Sequence, residues 1–185
     1  KKQNYSLELT TTGAGTLLKK LFVTNELYFD APKNTGYLKL IFSLFEDTSF
    51  IVLDFFAGSG STGDAVMQLN SDDGGNRKFI LCQIDEPIQK DKPAYKFCVE
   101  NNLPPVISSI TIERLKRAGE KIAKELEDEN NKPDDGKRQV PDIGFKVFDS
   151  VIAPKLEADD KGQISINYND CDALSRIYNM IFTIG

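Results

Sequence analysis

The hydrophobic and polar positions of this chain predict a strand, a turn and a helix, followed by a second strand. An apolar run at 50–53 ends at Asp54, and a helix-suited segment reaches Leu69 after a glycine-rich turn. Lys78 to Ile84 is a second continuous apolar run, as in buried parallel strands. We therefore predict a β-α-β unit. Its right-handed crossover would bring Asp54 and residues 83–86, which follow the two strands, to one edge of the sheet.

Apolar residues at helical spacing predict further helices on both sides of this unit. The longest such segment is Ile110 to Asn130, whose apolar residues form one stripe. Before it, the polar run from Thr10 to Thr16 predicts a loop, and after it residues 142–151 alternate as in a strand. These elements indicate an α/β fold. Shorter helices are predicted at Gly36–Phe45, Ala94–Asn101 and Asp172–Met180, and loops at Asn70–Arg77 and Asn130–Gln139.

Composition narrows the class of protein. The 185 residues, 40% of them hydrophobic, suffice for one domain with a core. The net charge of −5 and the pI of about 4.9 argue against binding nucleic acid through bulk charge. Histidine is absent from the sequence, which excludes Ser-His and Cys-His catalysis and histidine-ligated zinc within this chain.

Cysteine usage and hydropathy bear on the compartment. The three cysteines, Cys82, Cys98 and Cys171, are an odd number without metal-ligand spacing. They predict free thiols, a reducing cytoplasmic compartment and no metal site. No apolar run approaches the ~20 residues of a membrane span, and no signal-peptide core follows Lys1-Lys2. The polar start and the end at Gly185 predict a piece of a longer protein.

The turn after the first strand carries the most specific chemistry. It reads F-F-A-G-S-G after Asp54. Gly58 and Gly60 let the backbone turn sharply and approach a ligand, so a Cβ at either is expected to obstruct binding more than folding. Gly58-Ser59-Gly60 stands where a phosphate-binding loop needs Gly-Lys-Ser/Thr, which argues against a phosphate ligand. Two alternatives stay open. Residues 58–63 fit the dinucleotide pattern G-x-G-x-x-G, although the ribose-binding acid is displaced, or the segment is a strand-turn-helix without a ligand.

The sequence D-x-F-x-G-S-G from Asp54 to Gly60 resembles the first signature motif of amino-methylating DNA methyltransferases. In that family the turn wraps the methionine end of S-adenosylmethionine. The resemblance implies that Asp54 faces the amino group of this cofactor, that the backbone of Gly58 to Gly60 packs on the methionine moiety and that Phe56 shapes the pocket. The cofactor-binding residues that it implies in this segment are Asp54, Phe56, Ala57, Gly58, Ser59, Gly60 and Thr62.

Further segments are similar to the modification subunit of type III restriction-modification systems, a β-class adenine-N6 DNA methyltransferase. The resemblance implies a partial Rossmann-like methyltransferase fold, with a mostly parallel sheet and helices on both faces. It also implies methyl transfer to adenine N6 without a metal. The implied partners are double-stranded DNA, a restriction (helicase-nuclease) subunit and a second copy in a homodimer. The similar segments are Gly15–Phe22, Phe29–Lys33, Gly74–Leu81, Thr111–Ala118 and Gly144–Phe148.

Two positions depart from the family pattern. Asn34 follows Pro32-Lys33 where the family has a second proline, and Pro32-Lys33 is still expected at the carboxylate end of the cofactor. Gln83 stands where related methyltransferases carry an acid that binds both ribose hydroxyls. A glutamine amide also pairs with a hydroxyl. Asp85 or Glu86 is the alternative ribose ligand, unless both acids lie in a solvated turn.

The catalytic tetrapeptide of the family is missing from this sequence. That D-P-P-Y-type motif orients the adenine amino group and stacks on the flipped base. Residues 102–105, Asn-Leu-Pro-Pro, contain the only Pro-Pro pair and lack both the acid and the aromatic residue, which indicates a loop. The chain is therefore expected to be inactive alone. By the resemblance it holds the end of a target-recognition region (1–28), the cofactor half of the methyltransferase domain (29–150) and the start of a C-terminal extension (151–185).

Two further points stay open in the sequence. The long helix carries basic residues on one face, which are expected either to contact DNA phosphates or to be solvated. The alternative functions are a methyltransferase that acts on RNA, a protein or a small molecule, and a non-catalytic module that binds the cofactor or a restriction subunit. The basic residues of the helix face are Arg114, Arg117, Lys121 and Lys124.

Overall fold

The computed structural model describes residues 10–131, 137–149, 156–158 and 163–166. The chain divides into two compact units, Lys1–Gly144 and Phe145–Gly185. The second unit contains β3 (Leu156–Ala158) and β4 (Ile164–Ile166), which pair antiparallel. The first unit contains α1 (Thr11–Phe22), α2 (Thr35–Phe42), β1 (Ile51–Asp54), α3 (Ser61–Asp73), β2 (Lys78–Leu81), α4 (Pro93–Glu100) and α5 (Ile107–Asn130).

The predicted β-α-β unit is confirmed. β1 and β2 pair in parallel, and α3 connects them. Asp54, the last residue of β1, lies opposite Leu81, the last residue of β2, so both strands end at the same edge of the sheet. α3 begins after Gly60 and ends before Gly74, whose φ angles are 78° and 73°. Glycine adopts this left-handed conformation at little cost, so the two residues set the ends of the helix.

One face of the sheet forms a core with α2 and α3. Val52 and Phe79 pack there on a cluster of buried apolar residues from the two helices. The alternate positions Ile51, Leu53 and Ile80 are 60%, 51% and 51% exposed, because successive strand residues point to opposite faces. Within the described residues the helices therefore cover one face of the sheet, whereas the resemblance implied helices on both faces. The buried cluster is Phe42, Ala65, Val66 and Leu69.

The long helix α5 packs against α1, α3 and α4. The apolar stripe predicted from Ile112, Leu115, Ala118, Ile122 and Leu126 is confirmed, because all of these residues except the half-buried Ile112 are buried. A second core joins α1, α4 and α5, and it includes Cys98. Burial raises the pKa of the Cys98 thiol, which therefore stays protonated and acts as a small apolar side chain. Cys82 is a free thiol as well, and Cys171 lies outside the described residues.

The predicted loop at Thr10–Thr16 is wrong, because helix α1 begins there. Thr10 caps the helix, and its hydroxyl accepts a hydrogen bond from the N–H of Gly13 at 3.0 Å. Ala14, Leu18 and Phe22 recur every four residues and are buried. Their packing outweighs the weak helix propensity of the threonines and glycines.

The strand predicted at 142–151 is also wrong as far as residue 149, where residues 137–149 show no regular secondary structure. Alternating polarity needs a neighbouring strand, and no strand pairs with this segment in the described part of the chain. The helix predicted at 172–180 lies outside the described residues. Among the helices that are described, none is long and apolar enough to cross a membrane.

Candidate functional site

Asp54 closes β1 and holds the turn that follows it. One carboxylate oxygen, Oδ1, accepts a hydrogen bond from the N–H of Phe56 at 2.9 Å. The other, Oδ2, accepts one from the hydroxyl of Thr62 at 2.6 Å. A carboxylate has about four acceptor positions, so Asp54 retains capacity for a further donor. The strand end, the turn and α3 are thus joined through one negative charge at the sheet edge.

Four N–H groups of the turn, those of Phe56, Ala57, Gly58 and Gly60, are bonded within the protein. Ala57 donates to the carbonyl of Cys82 at 3.1 Å, and Gly60 donates to the carbonyl of Ala57 at 2.8 Å. Gly58 donates to Oε1 of Gln83 at 2.7 Å. A phosphate-binding loop presents such groups to its ligand. In this conformation the N–H groups of Ala57, Gly58 and Gly60 are therefore not available to the pyrophosphate of a dinucleotide.

The two glycines of the turn also face the protein itself. Both have left-handed φ angles, 52° at Gly58 and 78° at Gly60. A Cβ on Gly58 would lie 3.0 Å from Cζ of Phe29. A Cβ on Gly60 would lie 3.2 Å from both Cγ2 and the carbonyl oxygen of Thr111. An added Cβ at either glycine would therefore strain the packing of the turn as well, and the expected larger effect on binding stays a prediction.

Gly60→Val is expected to lower the free energy of unfolding by about 1–3 kcal/mol, because a β-branched residue would occupy a left-handed backbone and press on α5. Urea denaturation followed by circular dichroism measures this change. Gly74→Val is the matched control, since Gly74 has φ 73° but a Cβ there would meet nothing within 4 Å. If the two variants lost equal stability, backbone strain alone would explain the effect and the contact with Thr111 would contribute nothing.

A buried arginine holds the turn to the helices around it. Arg114 of α5 is 1% exposed, and its Nε and Nη2 each lie 3.0 Å from Oδ2 of Asp64. Nη1 donates to the hydroxyls of Ser59 and Ser61 at 2.8 and 2.7 Å. Nη2 donates to the hydroxyl of Thr35 at 3.2 Å. The turn and the first residues of α2 and α3 therefore share one charged partner.

The three candidate ribose ligands follow β2 at the same sheet edge. Besides accepting the turn N–H, Gln83 donates from Nε2 to the carbonyl of Ile84 at 3.0 Å. Oδ1 of Asp85 accepts a hydrogen bond from the hydroxyl of Ser108 at 2.5 Å. Glu86 is exposed. Of the three, Gln83 contacts the turn, and its amide holds both the turn and its own strand end. Asp85 instead contacts Ser108 in α5.

The segment before α2 was expected at the carboxylate end of the cofactor. In it Pro32 is buried and Lys33 is exposed. Asn34, which stands where the family has a second proline, is the N-cap of α2: its Oδ1 accepts a hydrogen bond from the N–H of Tyr37 at 3.2 Å. Proline has no side-chain acceptor for this role. The departure from the family pattern therefore has a structural reason in this chain.

Sequence reasoning missed the contribution of α5 to the site. Thr111 and Arg114 both contact the turn, whereas Arg114 was expected at DNA phosphates or in solvent. A signal was present: Arg114 lies next to Leu115 and four residues before Ala118, which places it on the buried stripe. A charged residue on an apolar stripe needs a buried partner, and Asp64 is that partner.

Of the other basic residues on this helix face, Arg117 is partly buried, whereas Lys121 and Lys124 are exposed as the solvated alternative expects. Arg117 donates to Oε1 of Glu113 at 2.7 Å, and its guanidinium lies 5.0 Å from the ring centre of Phe22. Lys121 lies 3.6 Å from Oε1 of Glu125 on the exposed surface. Lys124 is exposed too. These residues do not form a separate cationic stripe.

The site consists of an acidic strand end, a glycine-rich turn and a parallel β-α-β unit. Comparison with known proteins agrees with the class of DNA methyltransferases that the sequence resembles. Residues 6–94 match the N6_N4_Mtase family, whose description is DNA methylase. Such a match implies the use of a methyl donor.

Particular proteins narrow the class further. Over 138 residues the chain is 38% identical to the type III restriction-modification enzyme StyLTI Mod subunit of Salmonella typhimurium. The matched stretch covers 75% of this chain and 19% of that protein. It is 33% identical over 147 residues to the EcoPI Mod subunit of Escherichia phage P1, covering 80% and 20%. It is 45% identical over 87 residues to the type II methyltransferase M.KpnI of Klebsiella pneumoniae, covering 47% and 20%.

These matches confirm the resemblance to the modification subunits of type III systems. The chain spans about a fifth of the length of these curated relatives.

Proposed function

We propose that the full-length gene product is a site-specific DNA methyltransferase that moves a methyl group from S-adenosylmethionine to N6 of adenine, and that this chain supplies its cofactor-binding half. The observation that carries the proposal is the Asp54 carboxylate at the sheet edge, beside a turn in which four N–H groups are bonded within the protein. The carboxylate offers negative charge, which repels a phosphate. It therefore suits a cationic amino group better than a phosphate.

The residues present fit S-adenosylmethionine. The α-amino group of this molecule is a cation, and Asp54 retains acceptor positions for it. When bound, the cofactor supplies an electrophilic methyl group. The part of this chain is to bind and orient it: Asp54 holds the amino group, an acid or amide after β2 holds the ribose, and Phe56, which is 90% exposed, shapes the pocket. The remaining proposed contacts are Ala57, Gly58, Ser59, Gly60, Thr62, Pro32 and Lys33, with Gln83, Asp85 or Glu86 at the ribose.

The exposed face of β1 and β2 supports a larger Rossmann-like fold in the full-length protein. Ile51, Leu53 and Ile80 are apolar and at least half exposed. A two-stranded sheet alone is marginally stable, and adjoining exposed apolar residues mark a surface that another element covers. We propose a mostly parallel sheet with helices on both faces. In it residues 29–150 form the C-terminal half of the domain, preceded by target-recognition residues 1–28 and followed by an extension at 151–185.

The proposed partners rest on the type III relatives. They are double-stranded DNA as substrate, a restriction (helicase-nuclease) subunit and a second copy of the protein, in the cytoplasm. Because the net charge of this chain is −5, its contact with DNA would be local, or other parts of the gene product would supply the phosphate-binding charge. The DNA methylase match favours DNA over RNA, a protein or a small molecule as the methyl acceptor.

Asp54→Ala is expected to weaken binding of S-adenosylhomocysteine, the demethylated product, by about 1.5–3 kcal/mol, because it removes a charge-assisted contact. Calorimetric titration measures this difference. Asp54→Asn is the matched variant: it keeps an oxygen acceptor for the turn but lacks the charge, so it should lose most of the same affinity. Thermal unfolding checks that each protein is folded. Equal affinity in the wild type and both variants, or no binding by a folded wild type, would contradict the assignment of Asp54 to the cofactor amino group.

A further inference from the structure

Both peptide groups of Gly58 are held by side chains from other elements. The N–H donates to Gln83, which follows β2, and the carbonyl accepts a hydrogen bond from the hydroxyl of Thr111 in α5 at 2.5 Å. Gly58 lies between β1 and α3, outside regular secondary structure, with a φ of 52°. A glycine in such a place is free to adopt many conformations. The two side chains select one of them.

The hydroxyl of Thr111 has two acceptors within reach. It lies 2.5 Å from the carbonyl oxygen of Gly58 and 3.1 Å from that of Ile107, four residues earlier in the helix. A helical threonine commonly bonds the carbonyl four residues back. Here the carbonyl of Gly58 is within hydrogen-bonding distance as well, and it is the nearer of the two. Thr111 is 5% exposed, so little water competes for the bond.

Thr111 also bears on the second glycine of the turn. Its Cγ2 lies 3.2 Å from the position that a Cβ on Gly60 would take. The hydroxyl and the methyl group of one side chain therefore address the two glycines that the turn requires. Arg114, one helical turn later, bonds the hydroxyl of Ser59 between them. This face of α5, formed by Thr111 and Arg114, thus packs against the turn.

We propose that Thr111 is a positioning residue, which fixes the carbonyl of Gly58 and so holds the cofactor turn in its binding shape before the cofactor arrives. This inference rests on the proposed function, because it takes the turn to be the cofactor site. A binding loop that is already ordered loses less conformational entropy when its ligand binds. Thr111 therefore contributes to affinity without touching the cofactor.

The test uses a matched pair of variants in the full-length gene product. Thr111→Val keeps the shape of the side chain and removes the hydroxyl, whereas Thr111→Ser keeps the hydroxyl. By calorimetry, Thr111→Val should bind S-adenosylhomocysteine about tenfold more weakly than the wild type, and Thr111→Ser should stay within about threefold. Without ligand, amide hydrogen exchange of residues 56–60 should be faster in the valine variant than in the serine variant.

Two outcomes would overturn the role proposed for Thr111. Wild-type affinity and exchange in Thr111→Val overturn the proposal. So does a loss of stability in both variants with unchanged affinity, because Thr111 would then only support the packing of α5. If the folded wild type does not bind S-adenosylhomocysteine, the proposed function fails, and the exchange comparison still decides whether Thr111 holds the turn.

Discussion

Arg114→Met is expected to lower the free energy of unfolding by about 3–5 kcal/mol, because it leaves a buried carboxylate without its counter-charge. Asp64 is 4% exposed, and after the substitution its hydrogen bond from Nε2 of Gln68 at 2.7 Å would remain. The hydroxyls of Ser59 and Ser61 would lose the donor Arg114 and keep only the hydrogen bond between them. Domains are stable by only about 5–15 kcal/mol, so this loss is a large share of the total.

Urea denaturation followed by circular dichroism measures the effect, and two further variants interpret it. Lys121→Ala removes an exposed ion pair from the same helix and should cost less than about 1 kcal/mol. Adding Asp64→Asn to Arg114→Met should restore part of the stability, because it removes the unpaired charge. Similar losses in Arg114→Met and Lys121→Ala, or no recovery in the double variant, would contradict the central role of the buried pair.

The β-α-β unit could be predicted because each of its parts is encoded locally. Two apolar runs, a turn with glycines where φ is positive and an acid at a strand end lie within 34 residues, from Ile51 to Ile84. Helix α1 could not be predicted, because its threonines and glycines are typical of a loop. What makes it helical is the packing of Leu18 and Phe22 on α4 and α5, which are distant in sequence.

The residues of the candidate site likewise include some that the local sequence predicts and some that only tertiary packing brings together. Asp54 and the two glycines were found from the motif. The contacts of α5 with the turn and with α3 were missed, because Thr111 lies 53 residues from Gly58 and Arg114 lies 50 residues from Asp64. Only the packing of α5 on α3 creates these contacts, and a single sequence shows neither the packing nor its register. The ionic character of Arg114 even favoured the opposite location, on the surface.

This chain alone is expected to transfer no methyl group to DNA, even though it carries the cofactor motif. The reason is the missing tetrapeptide: without its acceptors the adenine nitrogen is not oriented for attack, and positioning supplies roughly 7–11 kcal/mol in well-aligned reactions. The structure supports the prediction that residues 102–105 form a loop. They connect α4 to α5, where Leu103 donates from its N–H to Cys98 and Pro105 accepts at its carbonyl from Ile88.

The measurement incubates the isolated chain with radiolabelled S-adenosylmethionine and DNA of mixed sequence, beside the full-length gene product. Binding of S-adenosylhomocysteine by the same preparation is the control, because it separates a folded but silent chain from an unfolded one. We expect label on DNA from the full-length protein alone. Comparable transfer by the isolated chain would mean that the catalytic groups lie within it. Asn102→Ala would then be the first variant to make, because the amide oxygen of Asn102 could accept a hydrogen bond from the adenine amino group. Its backbone also has a left-handed φ of 56°.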